Sequence, residues 1–268
     1  WRFITVPSAV TSKEISIIRI AHNKKSIKIL FSTQEEIKID IDTFTDFFLF
    51  EGKKLSRDEI SQIKKRSEVA SAQQYALSLV ARHSYTEMEI RRRLRNKKVD
   101  NATINSIIKR LLSNNLINDS TFADDYMEYA RHRGYGPKRV KSDLLKKGIS
   151  QTIIDNLSLT SLDSEDQIDR MAKKFLHGKK FPNQKAQNDA VFAFLYRNGF
   201  SQSKAIAIVQ NLPQIPHNLV MENLHSDLLK TKKRCQSKYT GLNLRQRLIY
   251  LLEQKGYNYE DISLVLED

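Results

Sequence analysis

A chain of 268 residues is long enough for one extended domain or two compact ones, and 40% apolar residues can fill a packed interior. Lys and Arg outnumber Asp and Glu by 45 to 31, a net charge of +14 that points to nucleic acid, a nucleoprotein or an acidic protein surface as partner. A single cysteine, Cys235, excludes an internal disulfide and a multi-cysteine zinc site, and no apolar run approaches the length of a bilayer span, so a cytoplasmic protein with no membrane partner is expected.

The first sixty residues read as strands. Glu14–Ile20, Ser26–Phe31 and Glu36–Ile41 are β-branched and largely alternating, separated by His22-Asn23-Lys24-Lys25 and Ser32-Thr33-Gln34-Glu35. That pattern predicts a three-stranded antiparallel meander with one apolar face. A short helix is expected within Asp42 to Phe50. Ser56-Arg57-Asp58-Glu59 is a capping box opening a helix through Lys65.

From about residue 70 the period becomes helical, in keeping with only 8 Gly and 5 Pro. The chain also repeats itself. Four junctions superimpose: Leu94 to Asp100, Leu144 to Ser150, Leu195 to Ser201 and Leu252 to Asn258, their leucines 50, 51 and 57 residues apart. At each, a helix ends at a residue suited to the left-handed conformation (Lys98, Gly148, Gly199, Gly256), an apolar residue tucks inward, and Asp, Ser or Asn caps the next helix. The following helix is apolar on one face: Ile104, Ile107, Ile108 and Leu111 in the first copy, Ile153, Ile154 and Leu157 in the second, Ile262, Val265 and Leu266 in the last.

The helix before each junction helix carries a stripe, Ala72, Ala76, Leu79 and Val80 and then Phe122, Ala123, Tyr126, Tyr129 and Ala130, with Ala81-Arg82-His83 recurring as Ala130-Arg131-His132. The fold class expected is mostly α: tandem three-helix, helix-turn-helix-like repeats over 67–117, 118–163, 164–213 and 214–268, behind a β-containing segment at 1–66. Units this small complete their cores by stacking, which predicts an elongated, curved array.

Arg91, Arg92, Arg93, Arg95, Lys97 and Lys98 crowd the middle helix of the first repeat, where Ile90 and Leu94 set the inward side and turn Arg91, Arg92 and Arg95 outward. Lys138, Arg139, Lys141, Lys146 and Lys147 occupy the equivalent helix of the second, with Val140 and Leu144 inward, and Arg131 and Arg133 stand just ahead of it. Stacking would place both helices on related faces as one cationic stripe for phosphates or carboxylates. The alternative is a solvated helix surface. Tyr85, Tyr126, Tyr129 and Tyr135 interleave with the charge, but Tyr126 and Tyr129 fall on the expected core face.

Catalytic signals are absent. Asp119, Asp124 and Asp125 cluster as a magnesium nuclease would need, yet Asn118-Asp119-Ser120 stands at a helix start, where Asp119 serves as a cap. His217 and His225 lack companions at ligand spacing. Gly134-Tyr135-Gly136-Pro137 lacks the Gly-Lys-Ser/Thr ending of a phosphate loop, and Pro137 after a flexible glycine pair is ordinary helix initiation. No cofactor, no metal and no enzymatic activity are expected.

The stretch Ala76 to Leu157 resembles the RecX family of bacterial recombination regulators. The resemblance rests on Arg82-His83-Ser84 with Glu89-Ile90 and Leu94, on Leu111-Leu112 and Asn115 to Asp119, on Phe122-Ala123 and Tyr126, and on Arg131, Gly134 to Val140, Leu144 and Lys147-Gly148-Ile149. Lys98 and Asn115 stand where the family commonly has Gly, so Lys98 questions a glycine-type turn at that site. The resemblance implies a monomeric partner of RecA, binding RecA filaments on single-stranded DNA and restraining strand exchange, ATP hydrolysis and co-protease activity, hence DNA repair and the SOS response. Some members also bind DNA directly. With Arg82 included, the candidate partner-binding set is Arg82, Arg91, Arg92, Arg95, Lys98, Arg131, Arg133, Lys138, Arg139, Lys141, Lys146 and Lys147. The rival reading is a stand-alone DNA-binding protein using its helix-turn-helix units.

Overall fold

Isoleucine alternation builds the first element, a sheet with one inward face. The structure, a computed structural model, describes residues 14–23 and 26–267, so Lys24 and Lys25 of the first expected turn lie outside it. Strands β1 (Ile15–Asn23), β2 (Ser26–Phe31) and β3 (Glu36–Ile39) pair antiparallel, as the sequence predicts. A fourth strand, β4 (Lys54–Leu55), adds to β1 and gives the order β3-β2-β1-β4. Two residues carry no readable periodicity, which is why the sequence predicts three strands. A register shift between Ile17 and Arg19 leaves Ile18 exposed while Ile15 and Ile17 stay buried.

Helix α1 (Ile41–Asp46) follows, capped by Asp40, whose carboxylate accepts the Thr43 N–H at 2.8 Å. Burial alone would raise the Asp40 pKa; the bonds from Thr43 outweigh it and hold the group below its ordinary value. The Ser56–Glu59 capping box forms, but it opens one helix, α2 (Arg57–Val80), that runs well past Lys65. No Gly or Pro interrupts residues 57–80, so nothing stops it. Its first half buries Ile60 and Ile63 under the sheet, and its second half sends Ala72 and Ala76 into a separate core with α3 (Glu87–Asn96) and α4 (Asn101–Ser113).

The chain divides after Phe122 into two compact units. The second holds α5 (Asp119–Arg133, which begins in the first unit), α6 (Pro137–Lys146), α7 (Gln151–Asp155), a 3-10 turn (Leu159–Leu162), α8 (Glu165–Leu176), α9 (Gln184–Arg197), α10 (Gln202–Gln210), α11 (His217–Cys235), α12 (Gly241–Gln254) and α13 (Tyr259–Glu267). Among the described residues the protein is mostly helical, in three-helix groups.

All four junctions take one form. Lys98, Gly148, Gly199 and Gly256 have φ of 60°, 85°, 90° and 95°. The next residue's N–H returns to the leucine carbonyl: Val99 to Leu94 (3.2 Å), Ile149 to Leu144 (3.1 Å), Phe200 to Leu195 (3.3 Å) and Tyr257 to Leu252 (3.2 Å). These are Schellman bonds. Lys98 therefore makes the same turn as the glycines. Asp100, Ser150, Ser201 and Asn258 then cap α4, α7, α10 and α13.

Asn118, not Asp119, caps α5 by accepting the N–H groups of Ser120 and Thr121. Ala81 ends α2 exposed while Ala130 is fully buried, so that tripeptide match is not structural equivalence. Tyr129 is 44% exposed, because the inward stripe of α5 is Ala123, Met127 and Ala130, and Tyr126 and Tyr129 flank it.

Within the second unit, the start of one middle helix meets the closing turn of the next. The Lys138 N–H at the start of α6 donates to the Gly199 carbonyl (3.1 Å), and Asn183, capping α9, donates its Nδ2 to the Lys255 carbonyl (3.0 Å) after α12. Gly134 and Gly136 are thus more than a flexible pair. A Cβ on Gly134 would strike the Met171 side chain, and one on Gly136 would lie 2.6 Å from the Gly199 carbonyl carbon.

Candidate partner-binding surfaces

Local chemistry sets both ends of α3: a side-chain cap opens it and cations close it over its free carbonyls. Thr86 makes a capping box with Glu89 at the start of α3, and Arg93 and Arg95 sit in its last turn. Asp119 reinforces that start by accepting the Glu87 N–H at 2.9 Å. Burial raises the Asp119 pKa, and the nearby Glu87 and Glu89 charges add to the rise against the Glu87 hydrogen bond.

In the first unit Arg92 and Arg95 are exposed on α3, Arg82 is exposed just beyond α2, and Lys98 is exposed in the turn. Arg91 departs from the outward reading. It is half-buried, its Nε donating to Glu87 Oε1 (2.7 Å) and its Nη1 to Asn105 Oδ1 (2.6 Å), which braces α3 against α4. Arg93 and Lys97 lie over the rings of Tyr85 (4.7 Å) and Tyr75 (5.3 Å).

On the second unit, Lys138, Lys141 and Lys146 are exposed along α6, Lys146 only loosely associated with Asp143 at 3.9 Å. Lys147, capping the C-terminus of α6, is half-buried. Arg131 pairs with Glu128, and Arg133 lies over the Tyr129 ring (5.5 Å). Arg139 is held from three sides: its guanidinium covers Tyr135 at 3.6 Å, its Nη1 donates to Asn198 Oδ1 at 2.9 Å, and its Nε sits 3.7 Å from Asp143. It ties α6 to the end of α9.

Three tyrosines join this arrangement. Tyr126 donates its hydroxyl to Asp143 Oδ2 at 2.9 Å; burial first, then that acceptor, push its pKa up. Tyr129 shows the opposite shift, drawn down by hydrogen bonding with Tyr135 and then by Arg133. Tyr196 and Arg197, outside the set expected from the sequence, line a shallow cleft of about 380 Å³ with Lys138 and Lys146. Tyr196 is 55% exposed and stacked on Phe192. An exposed aromatic beside cations at the end of α9 was the available signal.

Asp124 and Asp125 are exposed, and among the described residues no three His, Cys, Asp or Glu side chains gather at metal-binding distance. No helix among them is long and apolar enough to cross a membrane.

These features define a basic three-helix-repeat protein whose free cations stand on the outer faces of its middle helices. Comparison with known proteins narrows the class. Residues 72–111 match the first three-helix domain of RecX and residues 118–156 the second. The regulatory protein RecX of Streptococcus gordonii is 30% identical over 258 residues, covering 95% of this chain and 99% of that one. That of Lactococcus lactis subsp. lactis is 30% identical over 246 residues, 89% of this chain and 91% of its own. A crystal structure of regulatory protein RecX aligns over 95% of this chain and all of its own, at 17% identity and a TM-score of 0.43. The chain belongs to the RecX family, whose members are regulatory proteins and not enzymes.

Proposed function

We propose that the protein binds RecA filaments on single-stranded DNA and restrains strand exchange, ATP hydrolysis and co-protease cleavage, damping recombination and the SOS response in the cytoplasm. Family membership supports the regulatory role. The observation that carries the binding mode is the set of exposed cations without strong internal partners: Arg92 and Arg95 on α3, Lys138 and Lys141 on α6. Arg82 and Lys146 extend that set, Lys147 is half-buried, and Arg131 and Arg133, although exposed, sit against Glu128 and Tyr129. Several weak ionic contacts on modular units add up to useful affinity that salt erodes.

The test is RecA ATPase on single-stranded DNA, with and without the protein, at two salt concentrations. Inhibition that weakens at the higher salt is expected. An unchanged ATPase rate at both salts overturns the reading. Direct DNA binding is the second reading, favoured by exposed Tyr196 beside Arg197 and Lys138. Equal affinity for naked and RecA-coated strands would select it.

A further inference from the structure

Away from the outer faces of α3 and α6, the first unit contains a groove of about 790 Å³ with cationic walls. Lys38 comes from β3, Lys64 and Lys65 from α2, and Lys97 and Lys98 from the turn after α3. Five ammonium groups thus share it with two carboxylates, Glu68 and Asp100. Asp100 is engaged as the cap of α4, Lys64 pairs with Glu35, and Lys97 covers Tyr75. Lys38, Lys65 and Lys98 are exposed and have no ion-pair partner among the described residues. Three separate elements therefore hold uncompensated positive charge around one concavity, which raises the local potential felt by an anion.

The Lys98 position sharpens the point. The three equivalent turns use Gly148, Gly199 and Gly256, and at 199 and 256 a Cβ would run into the start of the preceding middle helix. Lys98 holds the same left-handed backbone although it carries a side chain that disfavours it. A lysine in that turn exchanges backbone docking, as seen at Gly199, for an ionic rim.

The floor between the lysines is aliphatic, formed by buried Ala72 and half-buried Val69 and Val99. A polynucleotide would match the charge but not this floor, and the face of Tyr75, the groove's one aromatic among the lining residues, is already covered by Lys97. A polypeptide with carboxylates on one side and aliphatic side chains on the other matches both. We propose that this groove binds an acidic amphipathic segment of a partner protein, with its aliphatic side chains against Val69, Ala72 and Val99 and its carboxylates against Lys38, Lys65 and Lys98. The proposal does not rest on the RecA reading, since Lys98 is the one residue of the candidate RecA-binding set that lines this groove.

The test uses the full chain and a fluorescent synthetic peptide of about 18 residues, long enough to form a helix, with Glu on one face and Leu on the other. Controls are a scrambled peptide of the same composition and an oligodeoxythymidine of similar charge. Anisotropy should show saturable binding of the amphipathic peptide, about tenfold tighter than the scrambled one. Lys38→Glu with Lys65→Glu should abolish it. Lys98→Gly, which the turn accommodates better than lysine, should weaken binding several-fold without loss of thermal stability. Equal binding of both peptides, failure of the amphipathic peptide to bind, or loss of oligodeoxythymidine binding alone in the lysine variants each overturns the proposal. So does a concentration-dependent dimer that the same substitutions dissolve, since the groove would then belong to a second copy.

Discussion

The N–H of Gly136 donates to the carbonyl of Asn198 across 2.7 Å, joining the cap of α6 to the turn that closes α9, 62 residues on. Backbones come this close because neither Gly136 nor the adjoining Gly199 carries a side chain. Gly199 has φ of 90°, and a Cβ there would drive into the backbone nitrogen of Arg139. Gly199→Ala should therefore destabilise the second unit by about 2–5 kcal/mol, the sum of left-handed strain and overpacking. Gly178→Ala is the control: its φ is 72°, but a Cβ would meet nothing within 4 Å, so a loss of about 1 kcal/mol is expected. Urea melts followed by circular dichroism give both values. Equal losses would mean that contact with Arg139 contributes nothing beyond backbone strain.

Inward and outward positions of α6 predict a sharp contrast between adjacent leucines. Leu144 is fully buried, and its carbonyl closes the Schellman turn, whereas Leu145 is 44% exposed. Leu144→Ala should cost about 2–5 kcal/mol, as truncation of a buried leucine does, and Leu145→Ala less than about 1 kcal/mol. A loss below about 0.5 kcal/mol for Leu144→Ala would contradict the packing of this repeat.

What the sequence made legible was local chemistry. The four turns were readable because a Schellman closure and its following cap lie within seven residues, as from Leu144 to Ser150. Long-range relations were not. Nothing near Gly136 announces Asn198, so the glycines looked like a flexible opening to a helix. Position beside the apolar stripe predicts an outward Arg91 and a place for Arg139 on the cationic stripe, but arginines are long enough to reach along the surface to Asn105 and Asn198. Tyr129 was misplaced by about one position in the helical period, since Ala123, Met127 and Ala130 leave little angular room to distinguish it. The groove of the first unit escaped notice because its lysines come from a strand, a helix and a turn that only folding brings together.

Asp119 gives a pH test of the junction between α5 and α3. Its folded pKa is raised, chiefly by burial and further by Glu87 and Glu89. The folded state therefore binds this proton more tightly than the unfolded state. The stability it contributes is present below the ordinary carboxylate range and is lost as pH rises through the raised folded value. Asp119→Asn keeps an oxygen able to accept the Glu87 N–H but does not titrate. The variant should melt higher than the parent near neutral pH, and the gap should close towards about pH 3, where the parent carboxyl is protonated. The reverse order at neutral pH would show that attraction to the helix start exceeds the burial and like-charge effects.

Charge reversal separates recognition from scaffolding. Arg92, Arg95, Lys138 and Lys141 are exposed with no internal partner strong enough to require them for folding. Replacing all four by Glu should leave helix content and melting nearly unchanged, since exposed charges contribute little to stability, while inhibition of RecA disappears. Arg139→Glu should behave differently. It removes the bond to Asn198 and the cover on Tyr135, and it sets a carboxylate beside Asp143. A stability loss of about 1–3 kcal/mol is expected there, with inhibition recovering at temperatures where the variant is folded. If the fourfold reversal inhibits RecA as well as the parent, those cations are merely solvated. If Arg139→Glu is fully stable yet inactive, Arg139 is a contact residue and its role in tying α6 to α9 is secondary.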